Sequence, residues 1–129
     1  MADSNNQKAT TSERLLAEGS ELVGKLKLEG IRCRKMLLDL GWDQDIRLHY
    51  GAMMSCVEIL TLLYLHWMRV DPGKPDWPQR DRFVLSKGHA APALYAVLCR
   101  AGYFSESAFS NFRTVTGSLQ GHPDRNRTP

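Results

Sequence analysis

No stretch of the 129-residue sequence reaches the roughly eighteen apolar residues that a membrane-spanning helix needs. Its first residues, Met1 to Thr11, are polar and lack the apolar core of a signal peptide. A cytoplasmic protein with no membrane partner is the expectation. Cysteine is scarce: Cys33, Cys56 and Cys99 are odd in number, and no pair has metal-ligand spacing. We read all three as reduced thiols in a reducing compartment. Charge of one sign is lacking too. Seventeen Lys and Arg face fourteen Asp and Glu, and the surplus of +3 is scattered rather than gathered into a patch, so no nucleic-acid partner is expected. There is no P-loop, dinucleotide fingerprint or nucleophile elbow. Asp43, Asp45, Asp71, Asp76 and Asp81 form no obvious paired-carboxylate site. Strand-forming sequence is nearly absent, since only Arg82-Phe83-Val84-Leu85 reads as a short buried strand.

What is present is mostly helical. After a disordered tail over residues 1–11, Ser12 reads as an N-cap with Glu13 in the first turn. Val23, Leu26, Gly30, Cys33, Leu37 and Leu40 recur at intervals of three and four, giving one apolar stripe that Gly41 should end. Gly30 on that stripe would allow a close helix contact. Trp42 to Tyr50 reads as a connector. Ser55 and Glu58 have the form of a capping box opening a helix to about Arg69. That helix has almost no polar face and should be buried on most sides; His66 within it reads as structural. A Pro- and Gly-rich loop then leads to the strand. A further helix runs from about Ala90 to Ala101 and ends at Gly102, and Ser105 caps a short helix through Phe112. Residues 114–129 read as loop. One strand among helices belongs to an α/β sheet whose other strands lie elsewhere.

The remaining histidines stand at predicted element ends. His89 follows Gly88 just beyond the strand, where parallel α/β folds bind ligands, and Gly88 permits close backbone approach. His49 lies between an arginine-containing connector and Gly51. His122 is held between Gly121 and Pro123, and the proline restricts it to extended geometry. Imidazole at such positions can bind oxygen atoms or move protons near neutral pH. Each segment alone also fits a loop histidine satisfied by backbone or water. A three-histidine zinc site would lack both compact ligand spacing and an adjacent activating glutamate.

Taken together, these segments resemble the thiamine-diphosphate-binding domain of transketolases, especially the separate N-terminal subunit of split bacterial forms. The likeness rests on His49-Tyr50-Gly51, Glu58-Ile59-Leu60, Asp71-Pro72, Asp81-Arg82-Phe83-Val84-Leu85-Ser86-Lys87-Gly88-His89-Ala90, Leu94-Tyr95-Ala96, Gly102-Tyr103-Phe104 and Gly121-His122-Pro123, in that order and spacing. It implies an α/β fold: a partial thiamine-diphosphate-binding fold over residues 12–129, mostly helical in this chain, with a parallel sheet completed by another chain. It also implies transfer of a two-carbon ketol unit from a ketose to an aldose, on a sugar or sugar-phosphate substrate. By the resemblance His49, His89 and His122 are catalytic, and His49, His89 and Gly88 contact the cofactor. Thiamine diphosphate would be bound with Mg2+ or Ca2+, whose ligands come from a partner. The family's Gly-Asp-Gly segment and its pyrimidine-binding domain have no counterpart here. The expectation is therefore one piece of a hetero-oligomeric enzyme, inactive alone and completed by separate polypeptides. The alternative is a non-catalytic remnant or regulatory subunit that docks to such an enzyme.

Overall fold

A computed structural model describes residues 10–128. The tail expected over residues 1–11 lies mostly outside them. Its last two residues do not: Thr10 is the N-cap of helix α1, Thr11–Asp43. Thr10 and Glu13 form a full capping box, in which the Thr10 amide donates to Glu13 Oε2 at 2.7 Å and the Glu13 amide to Thr10 Oγ1 at 3.3 Å. Thr10, rather than Ser12, starts the helix because Glu13 falls at the third helical position only from there.

The stripe on α1 is buried in its second half alone. Gly30, Cys33, Leu37 and Leu40 are buried, whereas no residue before Gly30 is. An added Cβ on Gly30 would lie 3.7 Å from the Val57 side chain, so that glycine does sit in a close helix contact. Gly41 does not end α1. It lies inside the last turn, where the Tyr50 phenol oxygen would sit 1.9 Å from any Cβ, and its missing side chain lets Tyr50 cross the helix.

The expected connector contains a short helix, α2, Tyr50–Met54. The expected capping box at Ser55 is not formed. Ser55 closes α2, its hydroxyl donating to the Ala52 carbonyl at 3.1 Å, and Glu58 pairs with Arg34 instead. Helix α3, Val57–Leu62, therefore starts at Cys56 without a side-chain cap and continues into a π-helical turn, Leu63–Trp67. Val57, Leu60 and Thr61 face the core, while Ile59, Leu62 and Trp67 are exposed. The expectation of burial on most sides thus fails among the described residues, and His66 is exposed rather than structural.

Residues 82–85 have no strand partner among the described residues. Phe83 and Leu85 are half-buried against the core and Val84 is 85% exposed, the alternation of a strand with one covered face. A 3-10 turn, Gly88–Ala90, leads into α4, Ala91–Ala101. Proline in the first turn suits α4, because the amide it removes has no helical partner. Every residue of α4 from Ala91 to Cys99 is buried, which makes it the central rod against which α1, α2 and α3 pack. Gly102 ends it in the left-handed region (φ 96°), with the Tyr103 amide reaching back to the Leu98 carbonyl at 3.0 Å. Ser105 precedes a 3-10 turn, Glu106–Asn111, but makes no side-chain cap. The last segment folds back, burying Phe112 and Leu119 beside Tyr95.

Candidate active-site cleft

Three segments outside the α-helices meet at the amino-terminal end of α4. The connector brings His49, the turn before α4 brings His89, and the last segment brings His122; all three line one cleft of about 200 Å³. His49 and His89 stand edge to face, with ring centroids 5.3 Å apart and planes at 71°. The three imidazoles are exposed.

Gly88 fixes His122. A Cβ there would lie 2.4 Å from His122 Cδ2 and 3.1 Å from Nε2, so only glycine lets the ring lie against the backbone. Beside it, Lys87 Nζ donates to Ser55 Oγ at 3.1 Å, tying the turn before α4 to the end of α2.

Arg47 and Arg113 also line the cleft, and among the described residues no carboxylate does. In the sequence Arg47 reads only as part of a connector, and nothing singles out Arg113. Among the described residues Arg113 is one of two non-glycine residues with positive φ, at 59°, its amide donating to the Leu119 carbonyl at 2.8 Å. That backbone state depends on a contact six residues away and leaves no mark in local sequence. Pro92 and Phe112 supply apolar wall.

The thiols stand apart from this chemistry. Burial pushes the Cys33 thiol up to about 11, and burial likewise raises Cys56 and Cys99. All three are free. Among the described residues no group of three His, Cys, Asp or Glu side chains is disposed to hold a metal ion, and no helix is long and apolar enough to cross a membrane. The donor set suits oxygen atoms and anions rather than a cation.

A family model for the transketolase thiamine diphosphate binding domain matches residues 36–129. The chain is 45% identical over 80 residues to one subunit of a 6-deoxy-6-sulfo-D-fructose transketolase of Clostridium sp. (strain MSTE9), covering 62% of this chain and 29% of that protein. It is 39% identical over 101 residues to one subunit of the apulose-4-phosphate transketolase of Phocaeicola vulgatus, covering 78% and 36%. It is 47% identical over 75 residues to human transketolase, covering 58% and 12%. Transketolase from Leishmania mexicana superposes with a TM-score of 0.73 at 30% identity, over 81% of this chain and 16% of that one. The chain therefore spans about a third or less of the length of these relatives, and its mostly helical structure corresponds to part of their fold.

Proposed function

The chain belongs to the transketolase thiamine-diphosphate-binding family, and from that premise we propose that it supplies the histidine-bearing side of an active site that moves a two-carbon ketol unit from a ketose to an aldose. The observation that carries this reading is the convergence of His49, His89 and His122 on one cleft from segments far apart in sequence. Bound thiamine diphosphate would supply the carbanion chemistry. This chain's residues would do the rest of their share by orientation and proton movement. His49 and His89, paired edge to face, would donate to oxygen atoms of the cofactor and of the sugar's leading hydroxyls, beside the backbone of Gly88. His122, its ring seated against Gly88, would face the oxygen of the reacting carbonyl and steady the charge that develops there.

The fit to the cofactor is one-sided. Donors for oxygen atoms are here, while ligands for Mg2+ or Ca2+ are lacking among the described residues. In this proposal the metal-binding segment and the pyrimidine-binding domain come from polypeptide outside these residues, joined to this chain or separate from it. Two relatives are named for sugars bearing a sulfo or phosphate group, and we extend that substrate class, an anionic sugar, to this chain.

The test joins the chain to the polypeptide that carries the rest of the domain and follows ketol transfer from a ketose phosphate to an aldose. Activity should appear only in the complete assembly. His89→Ala and His122→Ala should each lower kcat by about 100-fold, the lower end for a positioned proton-transfer group, without preventing assembly. Assembly with unchanged activity in both histidine variants would instead establish a docking or regulatory subunit.

A further inference from the structure

Leu48 and Tyr50, the two chain neighbours of His49, converge on one residue of α1. A Cβ on Gly41 would overlap the Tyr50 phenol oxygen, and it would lie 3.1 Å from Tyr50 Cζ and 3.6 Å from Leu48 Cδ1. Glycine inside a helix is less favourable than alanine, and here its bareness is what admits both side chains. Tyr50 stands outside the histidine cleft, in a separate hollow with Leu38, Asp39, Gly41 and Trp42. His49 itself lines the cleft. Its side chain makes no capping hydrogen bond at the start of α2, and its ring meets the His89 ring edge to face, with centroids 5.3 Å apart. A ring so placed takes its direction from its backbone. That backbone is fastened to helices on both sides. The Ile46 amide donates to the Gly41 carbonyl at 3.3 Å, and the Met53 amide to the His49 carbonyl at 3.1 Å.

We propose that Tyr50 is a positioning residue for His49: clamped with Leu48 over Gly41, it sets the imidazole against His89 from the end of α1 that Leu37 and Leu40 anchor in the core. The inference rests on the proposed role of His49 in ketol transfer and deepens it, by naming the side chain outside the cleft that aims this histidine. Aim matters because a misplacement of about 1 Å at a reacting group can cost on the order of 100-fold in rate. The clamp also has a specific weak point. The phenol oxygen is the first atom that a methyl on Gly41 would meet, and without that oxygen the nearest is Cζ at 3.1 Å, a contact that a shift of a few tenths of an ångström relieves. Tyr50→Phe should therefore compensate Gly41→Ala, a coupling expected only of residues in contact.

The full chain, labelled at its histidine ring carbons, is examined by nuclear magnetic resonance. The ring protons of His49 and His89 should cross-relax in the unaltered chain. Gly41→Ala and Tyr50→Ala should each abolish that cross peak and move the His49 resonances, with His66, outside the cleft, unmoved. Tyr50→Phe keeps the ring and should keep the cross peak, and Gly41→Ala combined with Tyr50→Phe should restore it. Circular dichroism of each variant reports folding. Should Gly41→Ala unfold the chain, Tyr50→Ala carries the test, because it removes the clamp and inserts nothing. In the complete assembly kcat should follow the cross peak: about tenfold lower in Gly41→Ala and in Tyr50→Ala, and recovered in the combined variant. A cross peak that survives Tyr50→Ala, or a folded Gly41→Ala that Tyr50→Phe does not restore, overturns the clamp. The resonance measurement needs no catalysis, so the two readings fail separately. Loss and restoration of the cross peak without histidine-dependent transfer keeps the clamp and removes the proposed function. Transfer that His49→Ala lowers and Tyr50→Ala leaves alone removes only the positioning role.

Discussion

At the scale of single residues, the cleft depends on one missing methyl group. Because a Cβ on Gly88 would overlap the His122 ring, Gly88→Ala should displace that ring. The expected outcome is at least a tenfold loss of kcat in the complete assembly, with a small change in unfolding midpoint because His122 is exposed. Ring resonances of His122 report the displacement directly. The cysteines give an independent check. Cys33 is fully buried and held to about 11 by that burial, so at pH 8 it stays a thiol and should resist iodoacetamide until the chain unfolds, as peptide mass spectrometry would show. The histidine positions are legible in sequence because glycine and proline neighbours mark where a side chain is presented. Arg113 is not, since a left-handed backbone at an arginine is imposed by tertiary structure.

At the scale of elements, α1 is two helices in one. Its 33 residues extend about 50 Å, but only the half from Gly30 onward has buried side chains. The first half relies on its capping box, exposed side-chain pairs and propensity, and isolated helices of that length are marginal. Nothing lies within 4 Å of where a Cβ on Gly24 would stand, so Gly24→Ala should favour the helical state by about 0.5–1 kcal/mol. Amide exchange should slow across residues 11–29 while the global unfolding midpoint stays nearly constant. At the join, Glu29 accepts from Arg100 Nε at 2.7 Å and also pairs with Arg32. The Arg100 guanidinium holds the Glu29 carboxyl below its ordinary value. The folded value lies below the unfolded one, so this stabilisation is full above the ordinary carboxylate range, about pH 4.3, and is lost as pH falls through the folded value. Glu29→Gln should therefore cost roughly 1 kcal/mol at pH 7 and flatten the acid limb of the stability profile. The helix periods are legible because burial follows the three-four spacing from Cys33 to Leu40. Ser55 misleads because a capping-box pattern does not tell which of two abutting helices owns the serine. The strand shows in its apolar run, but a strand is defined by pairing, and residues 82–85 have no partner here.

At the scale of the whole molecule, several large apolar side chains stand bare on the surface. Val84, Trp42, Trp67 and Ile59 are each at least 60% exposed, and Val84 stands on the segment with a strand's alternation of covered and bare side chains. Val84→Lys should weaken association with the proposed completing polypeptide by about tenfold or more, measured by calorimetry, while leaving the circular dichroism of the chain alone unchanged. Equal affinity would place that association elsewhere. The parallel sheet is legible in the sequence only as a debt of hydrogen bonds, since its other strands are not in these residues.

The cleft is built mostly from connectors, with the long helices standing behind it, and it gathers residues 47–49, 89–92 and 112–122. A ligand that touches all three acts as a removable clasp on the fold. At a hundredfold excess over its dissociation constant such a ligand adds about 2.7 kcal/mol. Thermal melting of this polypeptide then becomes a titration, in which the temperature of unfolding reads the concentration of whatever the cleft holds.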